Sequence, residues 1–559
     1  MVARVESGLQ KFSMSGRNQE VNGQICSWRK EAEAEKLKSM KNTVIALRKN
    51  VILYHRWLGV VFCVLFAMWF VSGIVLMYWP YPGVSAEQRL DKSAEVDASR
   101  VAVALEQAQE ISGVAKPDKV RLTMLDGRPV YRFHQGRQQK LVYADRLEVF
   151  PGLTREAALR EASRWTGKVA EEAIFEGAMT EEDQWTLNKA VRPLRPFLKF
   201  SWSDGEEVYV SKVSGEVMQH TTRVDRIGAW FGAIPHWLYF TVLRKETAVW
   251  RLIVIALSAV GTVMTLLGIV VGIWLYSPSK RYRFATGPSS IPYAGWKRWH
   301  TMLGLGFGLV TFTWILSGMF SMNPFGWSPE FGPDGQTAAK LAGARWEGKL
   351  FSGEGPGAVL RRAGLKGVKE VELAVAEGRG VYFLRAGRRE LLRVEPGQEP
   401  SRGVTLEWAR QQLQRAHPGV VVEEARLVNA YENYYIDRNG KLPLPALYFR
   451  LGDSERTMHY FDAATGKLVE SYVGRTRWNR WLYHGLHSWD LPWLYANRPG
   501  WDLAMIPTML GGLALSVTSV WIGWLRLRRK AAQARWSPAS APVGVPNSSL
   551  SHSRERASL

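Results

Sequence analysis

Two histidines stand at the start of two long apolar runs, and the residues that follow them repeat. Counted from His55 and from His300, Gly recurs at +4, Phe at +7, Trp at +14, Ser-Gly at +17 and +18, and Met at +22. At about 100° per residue, most of these positions share one helix face. A neutral imidazole beside small residues suits a flat, metal-bearing cofactor held between helices. Both histidines are therefore candidate ligands, since polar groups in a bilayer are generally functional.

A second pair of histidines, His236 and His487, repeats at a constant shift of 251 residues. Each has a Trp six residues earlier, a Trp at +14, and Gly at +25 and +36. Steps of 11 residues are about three helical turns, so the later Trp and both Gly share one stripe. The same shift aligns soluble positions, such as Tyr209 with Tyr460. The chain is therefore predicted to be a tandem duplication of helix, soluble domain and helix.

Charge and composition place the apolar runs in a membrane. The 559-residue chain has a net charge of +22 and four runs long enough to span a bilayer. Basic residues flank one end of every run, at Arg48, at Arg526 and in the acid-free loop 278–298. This positive-inside pattern explains the charge without nucleic acid; binding of anionic lipid or of a cytoplasmic partner is the alternative. It predicts a multi-pass protein of the bacterial inner membrane, with both termini cytoplasmic and both soluble segments periplasmic.

The apolar runs divide the chain into spans and soluble parts. Each soluble domain is followed by an aromatic segment too short to cross the bilayer, which is expected to lie at its surface. The predicted order is a disordered cytoplasmic tail (1–47), the first span (48–80), a periplasmic domain (85–225), an interfacial segment (226–248), the second span (249–277), a cytoplasmic loop (278–298), the third span (299–323), a second periplasmic domain (328–474), a second interfacial segment (475–500), the fourth span (501–528) and a disordered cytoplasmic tail (529–559).

Two segments resemble a known family. His-Arg-Trp-Leu-Gly at 55–59 resembles the opening of the PepSY-associated transmembrane family. Asp-Ala-Ala-Thr-Gly-Lys-Leu at 462–468 resembles the closing hairpin of a PepSY domain, although the first copy, at 211–217, lacks the leading acid. The resemblance covers roughly residues 45–530. It implies an α+β membrane protein with four transmembrane helices in a pseudo-twofold bundle and two extracytoplasmic PepSY-like α+β domains. It also implies haem b, because iron-regulated members resemble siderophore ferric reductases that hold this cofactor between their helices.

The repeat predicts which histidines face each other. His55 and His300 both lie near cytoplasmic ends of spans, and His236 and His487 near the periplasmic surface, so a twofold axis would bring each pair together. Combined with the resemblance, this predicts two haem b groups per chain, one with its iron held by His55 and His300, the other by His236 and His487. The alternative for each histidine is an interfacial side chain that reaches the lipid head groups.

The other histidines have weaker patterns. His484 lies three residues before His487, and its counterpart in the first copy is Ala233. It is a candidate to replace His487 as a ligand, to hydrogen-bond a haem propionate, or only to pack. A zinc site built on these two histidines lacks visible further ligands. Four histidines without counterparts are predicted to be ordinary surface residues: His134, His220, His417 and His459.

Missing motifs narrow the chemistry. There is no Cys-x-x-Cys-His for covalent c-type haem, and neither a phosphate loop nor a dinucleotide-binding motif after a strand. Electrons are therefore expected from a quinol or a separate cytoplasmic reductase. The favoured prediction is a haem b oxidoreductase that passes electrons across the membrane to a periplasmic ferric chelate or siderophore. The alternatives are a non-enzymatic PepSY regulator that binds exported peptidases or peptides, and an iron or siderophore transporter.

Overall fold

The computed structural model describes residues 3–388 and 390–536, and the side chains of residues 35–388 and 390–532. Within these residues, four helices are long and apolar enough to cross a membrane. Their outward side chains, such as Val61 and Leu503, are exposed, as expected of residues that contact lipid. The predicted α+β membrane protein is therefore confirmed. The four helices are TM1 (Ala3–Leu76), TM2 (Thr247–Leu275), TM3 (Gly295–Phe320) and TM4 (Gly500–Trp536).

The four spans form a ring. TM1 packs against TM2 and TM4, and TM3 packs against the same two neighbours, so TM1 and TM3 lie diagonally across the bundle. The glycine stripe predicted from the repeat explains the close packing. A Cβ at Gly261 would lie 3.0 Å from the Phe66 ring, and a Cβ at the equivalent Gly512 would collide with the Phe70 ring. Small residues thus bring TM2 and TM4 up against TM1.

The rest of the chain consists of strands and short helices. The strands are β1 (Lys119–Leu125), β2 (Arg128–Gln135), β3 (Gln138–Tyr143), β4 (Ile174–Met179), β5 (Phe197–Ser201), β6 (Glu207–Ser211), β7 (Val217–Thr221), β8 (Tyr282–Phe284), β9 (Gly287–Ser289), β10 (Glu370–Ala376), β11 (Arg379–Arg385), β12 (Leu391–Val394), β13 (Val422–Val428), β14 (Ala446–Leu451), β15 (Met458–Asp462) and β16 (Leu468–Tyr472). The helices outside the spans are Ala86–Lys92, Leu105–Ser112, Arg155–Thr166, Arg223–Phe231, Ala233–Trp237, Thr241–Arg244, Gly335–Ala342, Pro356–Ala363, Leu406–Ala416, Gly474–Asn479, the π-helix Arg480–Gly485, Leu486–Ser488 and Pro492–Tyr495.

One sheet joins the two halves of the repeat. Its six strands lie in the order β12-β11-β10-β1-β2-β3, and the central β1 and β10 pair antiparallel. One face buries Val120 and Leu122 of β1 in a core that includes the helices Leu105–Ser112 and Pro356–Ala363. The soluble segments, treated as two separate domains in the sequence, therefore share a sheet and a core.

Each half also has a four-stranded sheet of its own, β4-β5-β6-β7 and β13-β14-β15-β16. The helix Arg155–Thr166 packs on the first and Leu406–Ala416 on the second, through small buried residues such as Ala158 and Ala409. Both helices start at a Thr whose side chain accepts a hydrogen bond from a free backbone N–H of the first turn, which is why they begin where they do. Helix and antiparallel sheet together form one packed unit in each half.

The second face of the shared sheet is charged, because alternate side chains of a strand point to opposite faces. Arg121 of β1 lies 3.0 Å from Glu370 of β10 and 3.3 Å from Glu216, in the turn between β6 and β7. On the other half, Glu372 of β10 lies 2.6 Å from Lys467. Ion pairs thus tie both four-stranded sheets to the centre of the shared one.

These ion pairs predict instability in acid. Burial alone would raise the pKa of Glu216 and Glu372, but Arg132 and Arg121 beside the first, and Lys467 and Lys119 beside the second, lower both values from 4.5 to about 2. Their stabilising contribution is therefore complete above about pH 4.5 and lost as the pH falls towards about 2. Calorimetry in detergent should show a falling unfolding temperature across this window. A Glu216→Gln/Glu372→Gln variant should be less stable at neutral pH and less dependent on pH; an unchanged pH dependence would contradict the assignment.

Four segments differ from the sequence prediction. The first helix begins at Ala3, so residues 3–47 of the predicted disordered tail 1–47 have a helical backbone. This segment contains good helix formers, as in Glu-Ala-Glu-Ala-Glu at 31–35. The fourth helix continues to Trp536, and the rest of the predicted tail lies outside the described residues. The two aromatic segments 226–248 and 475–500 are not single interfacial helices but chains of short ones, with helix breaks that reorient their histidines.

Candidate functional site

His55 and His300 face each other across the bundle. They lie on the diagonal helices TM1 and TM3, and their ring centroids are 6.3 Å apart with planes tilted by 30°. We call them the basic-end pair, because the cavity around them is lined by cations of the bundle end, including Arg56, Arg526 and Lys530. The repeated faces predicted from the sequence are therefore brought together.

The neighbouring helices orient both rings. Nδ1 of His55 donates to the carbonyl oxygen of Met264 in TM2 at 3.0 Å. Nδ1 of His300 lies 3.2 Å from the Thr518 hydroxyl and 3.3 Å from that of Ser519, both in TM4. A carbonyl only accepts, so it fixes the proton of His55 on Nδ1 and leaves the lone pair on Nε2. Second partners of this kind are what metal-binding histidines generally have.

A cavity of about 900 Å³ surrounds the basic-end pair. Its wall includes Gly59 and Gly304, the glycines four residues after each histidine. A Cβ built at Gly59 would have no atom within 4 Å, and one at Gly304 only Leu515 at 3.8 Å. Gly268 is needed for a different reason, since a Cβ there would lie 2.6 Å from the His55 ring. The glycines therefore leave open space beside the rings, of a size that suits a small-molecule ligand.

The mouth of this cavity is basic. Its lining residues include five cations and no Asp or Glu, within the part of the chain whose side chains are described. One of them, Arg526, is buried at Nε without a hydrogen-bond partner, although its guanidinium lies over the Trp57 ring. A buried N–H without a partner is costly, which favours an acceptor at this position. The cavity thus matches a flat group with negatively charged substituents. The five cations are Arg56, Lys297, Arg526, Arg529 and Lys530.

His236 and His487 form a second pair, which we call the domain-end pair because it lies next to the soluble domains. Their ring centroids are 6.1 Å apart with planes at 58°. Nδ1 of His236 donates to the Trp69 carbonyl at 3.2 Å and also lies 3.3 Å from the Ser72 hydroxyl of TM1. Burial lowers the pKa of His236 to about 4 and that of His487 to about 3, so both rings are neutral at physiological pH.

The second half builds the domain-end pair in the same way. Nδ1 of His487 donates to the Trp314 carbonyl at 3.2 Å and lies 3.1 Å from the Ser317 hydroxyl of TM3. The repeated Trp, Ser and Gly that follow His55 and His300 in sequence therefore serve the other pair. A Cβ at Gly73 would lie 3.3 Å from the His236 ring, and one at Gly318 3.5 Å from the His487 ring. TM1 and TM3 therefore each carry one histidine of the basic-end pair and contact one histidine of the domain-end pair.

Repeated tryptophans fix the short helices that carry these histidines. The indole N–H of Trp250 donates to the Trp237 carbonyl at 2.8 Å, and that of Trp501 to the Ser488 carbonyl at 3.0 Å. Both acceptors directly follow the histidine. Each short helix then ends in a left-handed residue, Leu238 with φ 53° and Trp489 with φ 50°. Such a conformation is strained for a residue with a side chain and marks a position held by its surroundings.

The two pairs lie at different depths. His236 contacts TM1 at Trp69 and Ser72, 14 to 17 residues beyond His55. At about 1.5 Å per residue, this is about 21–26 Å along the helix, most of the thickness of a bilayer core. Aromatic side chains occupy part of the space between the two pairs. The ring centroids of Phe66 and Trp69 are 5.9 Å apart in a stacked arrangement, and those of Phe70 and Trp314 are also 5.9 Å apart.

Three donor nitrogens on the domain side of the bundle are buried without a hydrogen-bond partner. They belong to Nε1 of Trp69, Nε1 of Trp314 and Nη1 of Arg480. The first two are equivalent under the repeat, so this feature occurs twice. Arg480 uses its other nitrogens on the carbonyls of Asn433 and Asp490. Unpaired buried donors of this kind indicate a missing acceptor.

His484 lies apart from the paired rings. Its Nδ1 is 3.6 Å from a carboxylate oxygen of Asp490, which also binds Arg438. Its ring contacts Tyr483, which in turn contacts His487. The structure therefore pairs His236 with His487 and leaves His484 beside them, next to a carboxylate that the repeat lacks in the first half. Its three predicted roles, as a ligand in place of His487, as a hydrogen-bond partner of a haem propionate or as a packing residue, stay predictions.

The prediction that the unmatched histidines are surface residues is wrong for His459. This ring is buried in β15 and its Nδ1 lies 3.0 Å from the Ser471 hydroxyl. Within the described residues, no group of three or more His, Cys, Asp or Glu side chains is placed to hold a metal ion. A zinc site at His484 and His487 therefore lacks further protein ligands.

The sequence did not reveal the partners that orient the rings. Met264, Thr518 and Ser519 are ordinary residues of apolar helices, and the shift of 251 gives no signal for them, because their counterparts are Leu515, Leu267 and Gly268. Arg480 is also missing from the prediction, because its counterpart is Ala229 and the repeat gives no signal. Buried Arg in an aromatic segment is nevertheless unusual, and that was the available clue.

Comparison with known families gives one match. The family described as the PepSY-associated TM region matches residues 52–369, which is more than half of the chain and confirms the resemblance. The match starts three residues before His55 and includes His236 and His300. No curated protein matches the chain.

Proposed function

The chain belongs to the PepSY-associated transmembrane family, and from this premise we propose that it is a haem b oxidoreductase of the bacterial inner membrane. The basic-end pair would hold one haem and the domain-end pair a second. Both termini would be cytoplasmic and the soluble domains periplasmic. Electrons from a quinol or a cytoplasmic reductase would then cross to a periplasmic ferric chelate or siderophore.

The spacing of the paired rings carries this proposal. Two imidazole nitrogens that bind one metal from opposite sides, each at about 2 Å, lie about 4 Å apart, which puts the ring centroids roughly 6 Å apart. The two observed separations are 6.3 Å and 6.1 Å. Within the described residues, Nε2 of all four rings makes no hydrogen bond. A lone ion would need further protein ligands, whereas a porphyrin brings its own.

The protein residues would do the positioning. Bound haem supplies a one-electron redox centre, whose potential depends on axial ligands and surrounding polarity. The carbonyls of Met264, Trp69 and Trp314 hold the histidines as neutral tautomers with Nε2 free. Arg526 at the basic end and Arg480 at the domain end offer N–H donors to propionates.

Reduction of ferric iron is the acceptor chemistry that we favour. One electron converts Fe(III) to Fe(II), a softer ion that binds hard oxygen chelators less tightly, so reduction would release iron from its carrier. The soluble domains and the domain-end pair lie on the same side of the bundle, so an acceptor bound there would be near the second centre. This assignment of the acceptor rests on the family resemblance rather than on a contact.

The test is spectroscopic. Detergent-purified protein expressed with haem supplied should give the bands of two b haems per chain in a reduced-minus-oxidised spectrum, with the number fixed by a pyridine haemochrome assay. After anaerobic reduction by stoichiometric dithionite, ferric citrate should reoxidise it and release Fe(II), whereas redox-inert gallium citrate should not. Absence of haem would overturn the proposal. Haem without reoxidation by ferric citrate would keep the oxidoreductase and reject this class of acceptor.

A further inference from the structure

The centre of the shared sheet lies on the pseudo-twofold axis of the repeat. β1 and β10 are equivalent strands at a shift of 251, and their antiparallel register places Arg121 opposite its own counterpart, Glu372. Val120 and Leu122 pair with Leu373 and Val371 on either side, so the register is symmetric about that position. The two halves thus contact each other as two copies of one surface would.

The charges on this surface are reversed between the halves. β1 carries Lys119 and Arg121, and the equivalent positions of β10 carry Glu370 and Glu372. Across the axis, Arg121 lies 3.0 Å from Glu370, with only 16% and 14% of the side chains exposed. Lys119 lies 3.6 Å from Glu372. Partial burial makes such pairs stronger than surface ones, and less tolerant of a wrong partner.

A third equivalent position is reversed as well. The turn after β6 carries Glu216, 3.3 Å from Arg121, and the turn after β15 carries Lys467, 2.6 Å from Glu372. The same ion pair is therefore made in both halves with the signs exchanged. If only the ion pair between strand and turn mattered, both halves could carry the same signs, with a cation on the strand and an acid in the turn. The exchange keeps each turn matched to a strand whose charge has changed.

We propose that these reversed charges make the shared sheet a selective interface, in which each half of the chain accepts the other half and rejects a second copy of itself. Self-pairing of the first half would place Arg121 opposite Arg121, and self-pairing of the second would place Glu372 opposite Glu372. Like charges directly opposite each other in a sheet are destabilising. The hydrophobic face alone cannot discriminate, because Val120, Leu122, Val371 and Leu373 are interchangeable in character.

This selection matters for both histidine pairs. Each pair takes one ring from the first half, His55 or His236, and one from the second, His300 or His487. Pairing of unlike halves is therefore the arrangement that builds both pairs, whatever they bind. The inference uses only this geometry and does not depend on the proposed haem.

Thermal unfolding of the full chain in detergent tests the proposal. Lys119→Glu/Arg121→Glu gives β1 the same negative charge as the facing residues Glu370 and Glu372 of β10, whereas Lys119→Gln/Arg121→Gln removes the attraction without adding repulsion. We expect the acidic variant to lose roughly 5 °C or more relative to the neutral variant. Equal loss in both would overturn the proposal, because repulsion would then select nothing.

A complete exchange of signs guards against misfolding as the explanation. The six-substitution variant Lys119→Glu, Arg121→Glu, Glu216→Lys, Glu370→Lys, Glu372→Arg and Lys467→Glu restores the ion pairs among these six residues with the halves exchanged. Two further cations would then face like charges, because Arg132 lies 3.9 Å from Glu216, and Arg385 lies 3.9 Å from Glu370 and 3.8 Å from Glu372. The exchange is therefore made in an Arg132→Gln/Arg385→Gln background, and its unfolding temperature should return to within a few degrees of that background alone. Failure to recover, in a variant that still inserts into the membrane, would overturn the proposal, because the particular side chains would then matter rather than their complementarity.

Discussion

Alanine at His55 or His300 should remove one of two haems per chain, and alanine at His236 or His487 should remove the other. Each ring would supply one of the two protein ligands of its site, and the rings of the two pairs lie 6.3 Å and 6.1 Å apart. A pyridine haemochrome assay should therefore fall to about half for every single substitution. A double substitution across pairs, such as His55→Ala/His487→Ala, should leave none.

The matched control is His484→Ala. This ring lies next to the domain-end pair and is close in sequence to His487, but it contacts Asp490 and Tyr483 rather than His236. We expect it to keep both haems, with at most a small change in the potential of one. If His484→Ala lost a haem and His487→Ala kept both, the pairing described above would be wrong for the domain end. If all four paired substitutions kept full haem, the histidines would be structural.

Much of the bundle was predictable from the sequence, because duplication supplies a second observation of every position. A single histidine at a span end has a common explanation as an interfacial residue, but His55 and His300 with matching residues after them do not. The pattern predicted the faces and the pairing. It did not predict the partners Met264 and Thr518, because a backbone carbonyl leaves no trace in residue type and a Thr in a helix is common.

The soluble domains were less predictable for a different reason. The helix Leu406–Ala416 has local signals in the sequence, namely its capping Thr405 and its apolar periodicity. The union of β1 with β10 is a contact across 251 residues, and nothing local in either strand distinguishes an edge from a centre. The reversed charges of Arg121 and Glu372 were present in the sequence, but they acquire meaning only once the register is known.

Leucine at Gly59 or Gly304 should abolish binding at the basic-end pair while leaving the fold intact. Both glycines line the cavity, and a Cβ at Gly59 has open space around it. The remaining carbons of a leucine would therefore fill the volume beside the ring without a clash with protein. If a cofactor occupies that space, haem content should fall by about half and the domain-end haem should remain.

A different result is expected if no cofactor occupies this cavity in the cell. Filling an apolar void without strain stabilises a protein by about 1 kcal/mol or more, so Gly59→Leu would then raise the unfolding temperature and leave the spectrum unchanged. Gly306→Leu is the matched control, because Gly306 lies on the same helix as Gly304, would have no atom within 4 Å of an added Cβ and does not line the cavity. It should retain both haems. Loss of haem at Gly59→Leu would therefore indicate a cofactor site, because a cofactor and a leucine side chain compete for the same space next to His55. A higher unfolding temperature with an unchanged spectrum would indicate a packing defect.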